Sequence, residues 1–445
     1  MTERAHRFAV PIGALLAVGW VLVNWSAPIV EDSLFWWVPK GIKAGETGFP
    51  LVPAGELPSA MNPMSGQLPQ WAGGLPDYGH PPLWYWWIGI WTRAGVGLET
   101  VRLATLIPAA AAGAGFAALG KRLGATWAGF AVFGLPPFLA QLLRPELDLP
   151  LLALVPWALL ALMDRAWVRF AVLSAVATAC KEPGVLLAAP AAIVALQERR
   201  WRWAVLTPLV VLVGWGWMHG WMAKPERLPD GLLGWAQDAA SVAFIAFFAQ
   251  GRFALLIGIR RFQNQLPLAA FVLTWLGFFS VVGFFANRGT ADAYTHVRYL
   301  VPGIAVAAVV MANHRPWLAW VGLGWLHIAS PYGPEASLFG VHQAKAERES
   351  APWIREQVAA GQTVWVGTHQ AAGLFEPWAG IVDRPLRGFN VYDVSTRADD
   401  VLPGHVVLET AYGEPSGSLL TGRATKLITE WRVHDGRVSA WRVEE

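Results

Sequence analysis

Long apolar runs separated by short charged turns fill the chain up to about residue 331. Phe8 to Val30 and Leu266 to Ala286 contain no Asp, Glu, Lys or Arg. Each is long enough to cross about 30 Å of hydrocarbon at about 1.5 Å per residue. Apolar runs bounded by charges predict eleven spans, at about 8–30, 103–120, 123–143, 149–163, 167–180, 183–197, 203–222, 239–259, 266–286, 299–313 and 316–331. After Tyr332 the pattern changes to shorter alternating segments. Residues 362–368 and 405–412 read as strands, and residues 347–360 as a helix. Asp435-Gly436 reads as a two-residue hairpin turn between Trp431-x-Val433 and Val438-x-x-Trp441. The predicted architecture is a polytopic α-helical membrane module over 1–331, followed by a small α+β domain over 332–445.

Charge then orients the spans. With the N-terminus in the cytoplasm, the inner turns hold Arg4, Arg7, Lys121, Arg122, Arg165, Arg169, Arg199, Arg200, Arg202, Arg260, Arg261 and Arg315. Only Glu3, Asp164 and Glu198 oppose them, as the positive-inside bias requires. The alternation holds only if residues 81–97 do not cross. They are therefore expected to form a helix that lies in the outer interface or dips back, with Trp84, Trp86, Trp87 and Trp91 at headgroup depth. A first outer loop of 31–102 follows, and eleven crossings put the C-terminal domain outside. Loops of that length are usually functional.

Composition supports this reading: 55% of residues are hydrophobic and only 15% charged. The net charge of +3 does not imply nucleic acid, because the basic residues sit at span ends and form no groove-sized cluster. Cys180 is the only cysteine, which excludes an intramolecular disulfide and cysteine-based metal sites.

The polar residues with chemical interest fall on the predicted outer side. Glu31 and Asp32 follow the first span, either stopping that helix or placing a carboxylate at membrane level to take a proton from an acceptor. Tyr78 and His80 lie in Asp77-Tyr78-Gly79-His80-Pro81-Pro82, a structural turn or an anion-binding one. Arg144, Glu146 and Asp148 sit between the third and fourth spans, as a solvated turn or as part of a site. Lys181-Glu182-Pro183 breaks a helical hairpin and could be a local ion pair. His296, Arg298 and Tyr299 open the tenth span, where Arg298 could simply snorkel. Arg252 interrupts the eighth.

The order of acidic pair, long outer loop, HPPLWYW, VRL, an acidic residue after span three, KEP and RYLVP resembles the type C glycosyltransferase superfamily. The resemblance covers roughly residues 8 to 315. It is nearest the branch of protein O-mannosyltransferases and lipid A aminoarabinose transferases. It implies a polyprenyl-phosphate-linked sugar donor, work at the outer face and a catalytic carboxylate just after the first span. That carboxylate maps onto Asp32, with Glu31 second, since the family order Asp-Glu is reversed here. The second family carboxylate maps onto Asp148, with Glu146 as alternative. Where the aminoarabinose transferases carry a lysine before the proline of the loop's last motif, this chain has His80, which would make donor affinity pH-sensitive.

These features predict a membrane enzyme of the bacterial inner (plasma) membrane. It would transfer a sugar from the lipid-borne donor to a lipid, glycan or protein acceptor, with inversion. His80, Lys181, Arg298 and Arg252 are the candidate phosphate-binding cations. No cofactor is expected, although Asp32 and Asp148 could share a divalent cation. The alternative, a lipid or small-molecule flippase, needs polar groups near the midplane. Arg252 and His219 are the candidates for that. A membrane-anchored binding protein would leave the separate carboxylate-bearing loops unexplained.

Overall fold

The computed structural model describes residues 3–25, 37–48, 80–125, 127–199, 202–219, 265–281, 297–314, 341–366, 386–388, 401–412, 424–433 and 436–445, with isolated positions between 236 and 242. Glu31, Asp32, Tyr78, Arg252 and His296 lie outside these residues. So do the expected span 316–331 and nearly all of 239–259.

The first helix, α1 (Glu3–Val23), runs antiparallel to α4 (Leu98–Arg122). Gly13 and Gly113 bring the two backbones together: a Cβ on either glycine would collide with the other's carbonyl oxygen. Small residues serve this purpose between membrane helices, where backbone approach replaces the hydrophobic effect as the attraction. Between these helices in sequence come α2 (Val38–Thr47) and α3 (Leu83–Thr92), which pack on one another.

The expected span 123–143 is not one helix. It breaks into a 3-10 segment (Ala128–Gly134) and the eight-residue α5 (Pro136–Leu143). The cause is Pro136-Pro137. A residue before proline is pushed out of the helical region, and Leu135 is extended at φ −96, ψ 106. A second break follows at residues 144–147, where the chain bends by 114° into α6 (Asp148–Met163).

α6 returns through Asp164–Ala166 to α7 (Trp167–Cys180). Arg165 takes a left-handed φ of 60° there, while Ala166 N–H donates to Ala161 and Arg165 N–H to Leu162. Those two bonds cap the last carbonyls of α6. A 3-10 segment (Glu182–Leu187) leads into α8 (Ala188–Gln197), and α9 (Thr207–His219), α10 (Leu266–Val281) and α11 (Val301–His314) complete the described helical module. The 3-10 turn Val297–Leu300 precedes α11.

Among the described residues, Leu98–Arg122 is the one helix long and apolar enough to cross a bilayer unaided, and α5 with α6 pass that test together as a bent pair. Residues 8–23, 167–180, 182–197, 266–279 and 301–314 form shorter apolar helices. The outer faces of the bundle are apolar as well. Leu15, Val23, Val168, Val172, Val210, Val213 and Leu273 are all exposed, which is what a hydrocarbon solvent demands and water does not.

Charge separates to the two ends. At one end, Arg122 Nε meets Asp164 Oδ1 at 2.8 Å, and Arg165 Nε meets Glu198 Oε1 at 2.5 Å. This is the end expected to be cytoplasmic, and two of its three expected acids, Asp164 and Glu198, are paired.

The C-terminal region contains α12 (Val341–Ala359) and a five-stranded sheet ordered β2-β1-β3-β5-β4. Its strands are β1 (Val364–Val366), β2 (Arg387–Gly388), β3 (Val406–Tyr412), β4 (Thr425–Val433) and β5 (Gly436–Val443). β1 pairs parallel with β2 and β3; β5 pairs antiparallel with β3 and β4. Val433 and Gly436 are partners across the hairpin, so Gly436 belongs to β5 and the two connecting positions are 434–435, one residue before the expected Asp435-Gly436 turn. Trp365, Val401, Val407 and Val443 form the core of the sheet.

Candidate active site

The opposite end of the bundle gathers the sequence motifs. α4 and α6 both start there, α7 ends there, and α1 runs toward it. The break at 144–147 is held by its neighbours: Trp84 Nε1 donates to the Pro145 carbonyl at 3.0 Å, and Arg102 Nη1 donates to the Leu143 carbonyl. Irregular backbone at membrane depth survives only when protein groups satisfy it.

Arg144, Glu146 and Asp148 are 6%, 1% and 3% exposed, so the solvated-turn reading fails. Arg144 Nη1 lies 3.5 Å from Glu146 Oε1. Asp148, in the first turn of α6, has its Oδ1 2.5 Å from Lys181 Nζ, and both side chains are buried. Lys181 also stands over the Tyr299 ring at 4.5 Å. The Tyr299 carbonyl accepts Trp275 Nε1 at 2.7 Å, which ties the turn before α11 to α10.

Lys181 and Glu182 do not pair locally. Lys181 reaches back 33 residues to Asp148, and Glu182 reaches back 102 residues to His80. His80 Nδ1 is 2.8 Å from each oxygen of Glu182. Burial alone would raise the Glu182 carboxyl. The His80 charge and hydrogen bond, its own backbone and the neighbouring Lys181 outweigh burial and hold it below the usual carboxylate range.

Trp37 meets the His80 ring edge-on at 5.1 Å and stacks with Tyr85 at 6.2 Å. Lys40 Nζ lies 5.2 Å from the Tyr85 centroid, and Lys40 is buried. Sequence reading passed over Lys40 and used the buried Arg102 only as part of the VRL motif. A signal existed: a cation enclosed by apolar sequence is costly unless it serves a site or a partner.

Five of the expected site residues thus form two linked clusters, Asp148, Lys181 and Tyr299, and Glu182 with His80, joined through the adjacency of Lys181 and Glu182; Arg144 and Glu146 lie on the break between α5 and α6. Arg298 lies on the turn Val297–Leu300, one residue from Tyr299. Among the described residues, no group of three or more His, Cys, Asp or Glu could hold a metal ion.

The Trp-rich segment forms the helix α3. Trp84 is 2% exposed and Trp87 Nε1 donates to the Ala104 carbonyl, whereas Trp86 is 42% exposed. One face of α3 is packed into the protein and the other is open.

No protein-family model matches the sequence, and no curated protein does. Among solved structures, ArnT from Cupriavidus metallidurans bound to undecaprenyl phosphate superposes with a TM-score of 0.56 at 13% identity, over 99% of this chain and 98% of that one. Its apo state gives 0.50 at 13% identity, over 96% and 97%. At such identity the likeness concerns architecture. By fold, then, this chain is similar to ArnT from Cupriavidus metallidurans: mostly helical, with a small sheet near its C-terminus.

Proposed function

We propose that the chain is a membrane glycosyltransferase that moves a sugar from a polyprenyl-phosphate-linked donor to an acceptor at the outer face, inverting the anomeric centre. The observation that carries this reading is the gathering of His80, Glu182, Lys181, Asp148 and Tyr299 at one end of the bundle. An end-to-end fold match to a protein solved with undecaprenyl phosphate supports it.

The chemistry asks for fixed cations. When the C1–O bond of the donor breaks, its electron pair goes to the phosphate oxygen, and preorganised positive charge lowers the barrier. Asp148 holds Lys181 by one of its three N–H donors. Asp148 in this reading fixes a phosphate-binding cation. Asp32, with Glu31 as alternative, is the base that takes the acceptor's proton, and Arg298 grips phosphate oxygens through its planar fork. The module sits in the bacterial inner membrane with its N-terminus cytoplasmic and its C-terminal domain outside.

The experiment has two arms: binding of undecaprenyl phosphate to the purified full-length chain, and mass spectrometry of envelope lipids and glycans in a deletion strain. A protein that binds the lipid and a strain that lacks one glycosylated product are expected. An unchanged envelope profile with no lipid binding refutes the reading.

A further inference from the structure

His80 and Glu182 are placed by different parts of the chain, the stiff Pro81-Pro82 entry to α3 and the 3-10 turn that follows α7. An ionised carboxylate only accepts hydrogen bonds, so the Nδ1 atom facing Glu182 carries the proton. The other ring nitrogen, Nε2, lies on the far side of the imidazole. Among the described residues Nε2 has no hydrogen-bond partner. Both side chains are 27% exposed, so a ligand can reach the ring, and the Trp37 edge limits its tilt.

We propose that Glu182 is a positioning residue for the donor's phosphate, acting through His80: it fixes the imidazole so that Nε2–H is offered to a phosphate oxygen. This rests on the donor assigned above. A phosphate oxygen is an acceptor, so the ring serves it only while Nε2 is protonated. With Nδ1–H given to Glu182, that state is the imidazolium. Among the described residues, three charged groups stand near the ring. Glu182 touches it directly. Lys181 is the next residue but is bound to Asp148, and Lys40 of α2 lies behind Tyr85 and Trp37.

The geometry separates this role from simple scaffolding. A neutral, freely turning histidine gives weak and poorly directed phosphate contact. An imidazolium held at one nitrogen directs its single remaining N–H, as a carboxylate does for the imidazole of a catalytic triad. Nothing is consumed in this step: the proton stays on His80 and the phosphate oxygen accepts it as a hydrogen bond.

The test measures the affinity of the purified full-length chain for undecaprenyl phosphate from about pH 6 to about pH 9, the range that spans histidine ionisation. Wild type is compared with Glu182→Gln, Glu182→Asp, His80→Lys and the His80→Lys/Glu182→Gln double variant. In wild type, affinity falls as pH rises. Glu182→Gln lowers affinity about tenfold at the acid end, the scale of one charge-assisted hydrogen bond, and flattens the slope. Glu182→Asp restores part of that slope. His80→Lys keeps its charge across the range, so its binding lacks the slope and does not respond to Glu182→Gln. A Glu182→Gln protein with the affinity and slope of wild type overturns the proposal. So does an undiminished loss from Glu182→Gln in the His80→Lys background, since Glu182 would then act without His80. A wild-type chain that binds the lipid with no pH slope overturns this proposal and leaves the donor assignment standing. A wild-type chain that binds no lipid at all removes both.

Discussion

The Trp84 indole donates to the Pro145 carbonyl at 3.0 Å and thereby joins α3 to the break between α5 and α6. That one bond connects the HPPLWYW motif to the turn carrying Arg144, Glu146 and Asp148. Trp84→Phe keeps most of the volume but orphans a buried carbonyl, at a cost of about 1–3 kcal/mol. Its thermal midpoint in detergent should fall and its lipid affinity should drop with it. A midpoint equal to that of wild type means that another donor replaces the indole.

The Lys181–Asp148 pair is buried on both sides. Removing one partner leaves an uncompensated charge, which costs about 3–5 kcal/mol. Lys181→Met and Asp148→Leu should each be strongly destabilised. The double variant should regain stability and remain inactive, because packing replaces the pair but not the cation. Thermal melts alongside a transfer assay give the comparison. An active double variant takes Lys181 out of the reaction.

Asp32 is the expected base. Asp32→Asn keeps the shape and loses the charge, so transfer should fall by about 10²-fold or more while expression holds. Turnover like wild type in Asp32→Asn, with Glu31→Gln inactive, moves the role to Glu31.

The sheet carries a carboxylate with its own pH signature. Burial pushes the Glu409 carboxyl up, against the pull of Arg437 and the Trp441 side chain. A raised folded-state value means that its stabilising share is complete below the unfolded carboxylate range, about pH 4. That share is lost as pH rises through the folded value. Glu409→Gln remains neutral throughout. It should melt with wild type near about pH 4 and above it near about pH 7. A variant that is less stable at neutral pH shows that Arg437 outweighs burial.

Much of this was legible from the sequence, for reasons that can be traced. The Asp435-Gly436 signal and its flanking alternation located a hairpin to within one residue because both signals are local. α4 was legible because a long charge-free run has few alternatives. The break at 134–136 was missed, since the apolar run continued straight across Pro136-Pro137. Which tryptophans of α3 are buried was not legible either, because four tryptophans look alike until α2 and α4 cover some of them. The pairing of Lys181 with Asp148, and of Glu182 with His80, depends on which helix ends meet. Neither spacing nor composition encodes that.

The short turn Asp164–Ala166 has a consequence for how the protein is made. It joins α6 to α7, so Asp148 and Lys181 stand at the open mouth of a helical hairpin. Alone, α6 would bring a bare carboxylate to the bilayer and α7 a bare ammonium, each unfavourable there without a partner. Together, the two ends meet as an electrically neutral ion pair. The ribosome completes Asp148 33 residues before its counter-ion, so the pair can form only once the second helix has been synthesised. The ion pair that orders the finished site thus makes the two helices a single unit of assembly.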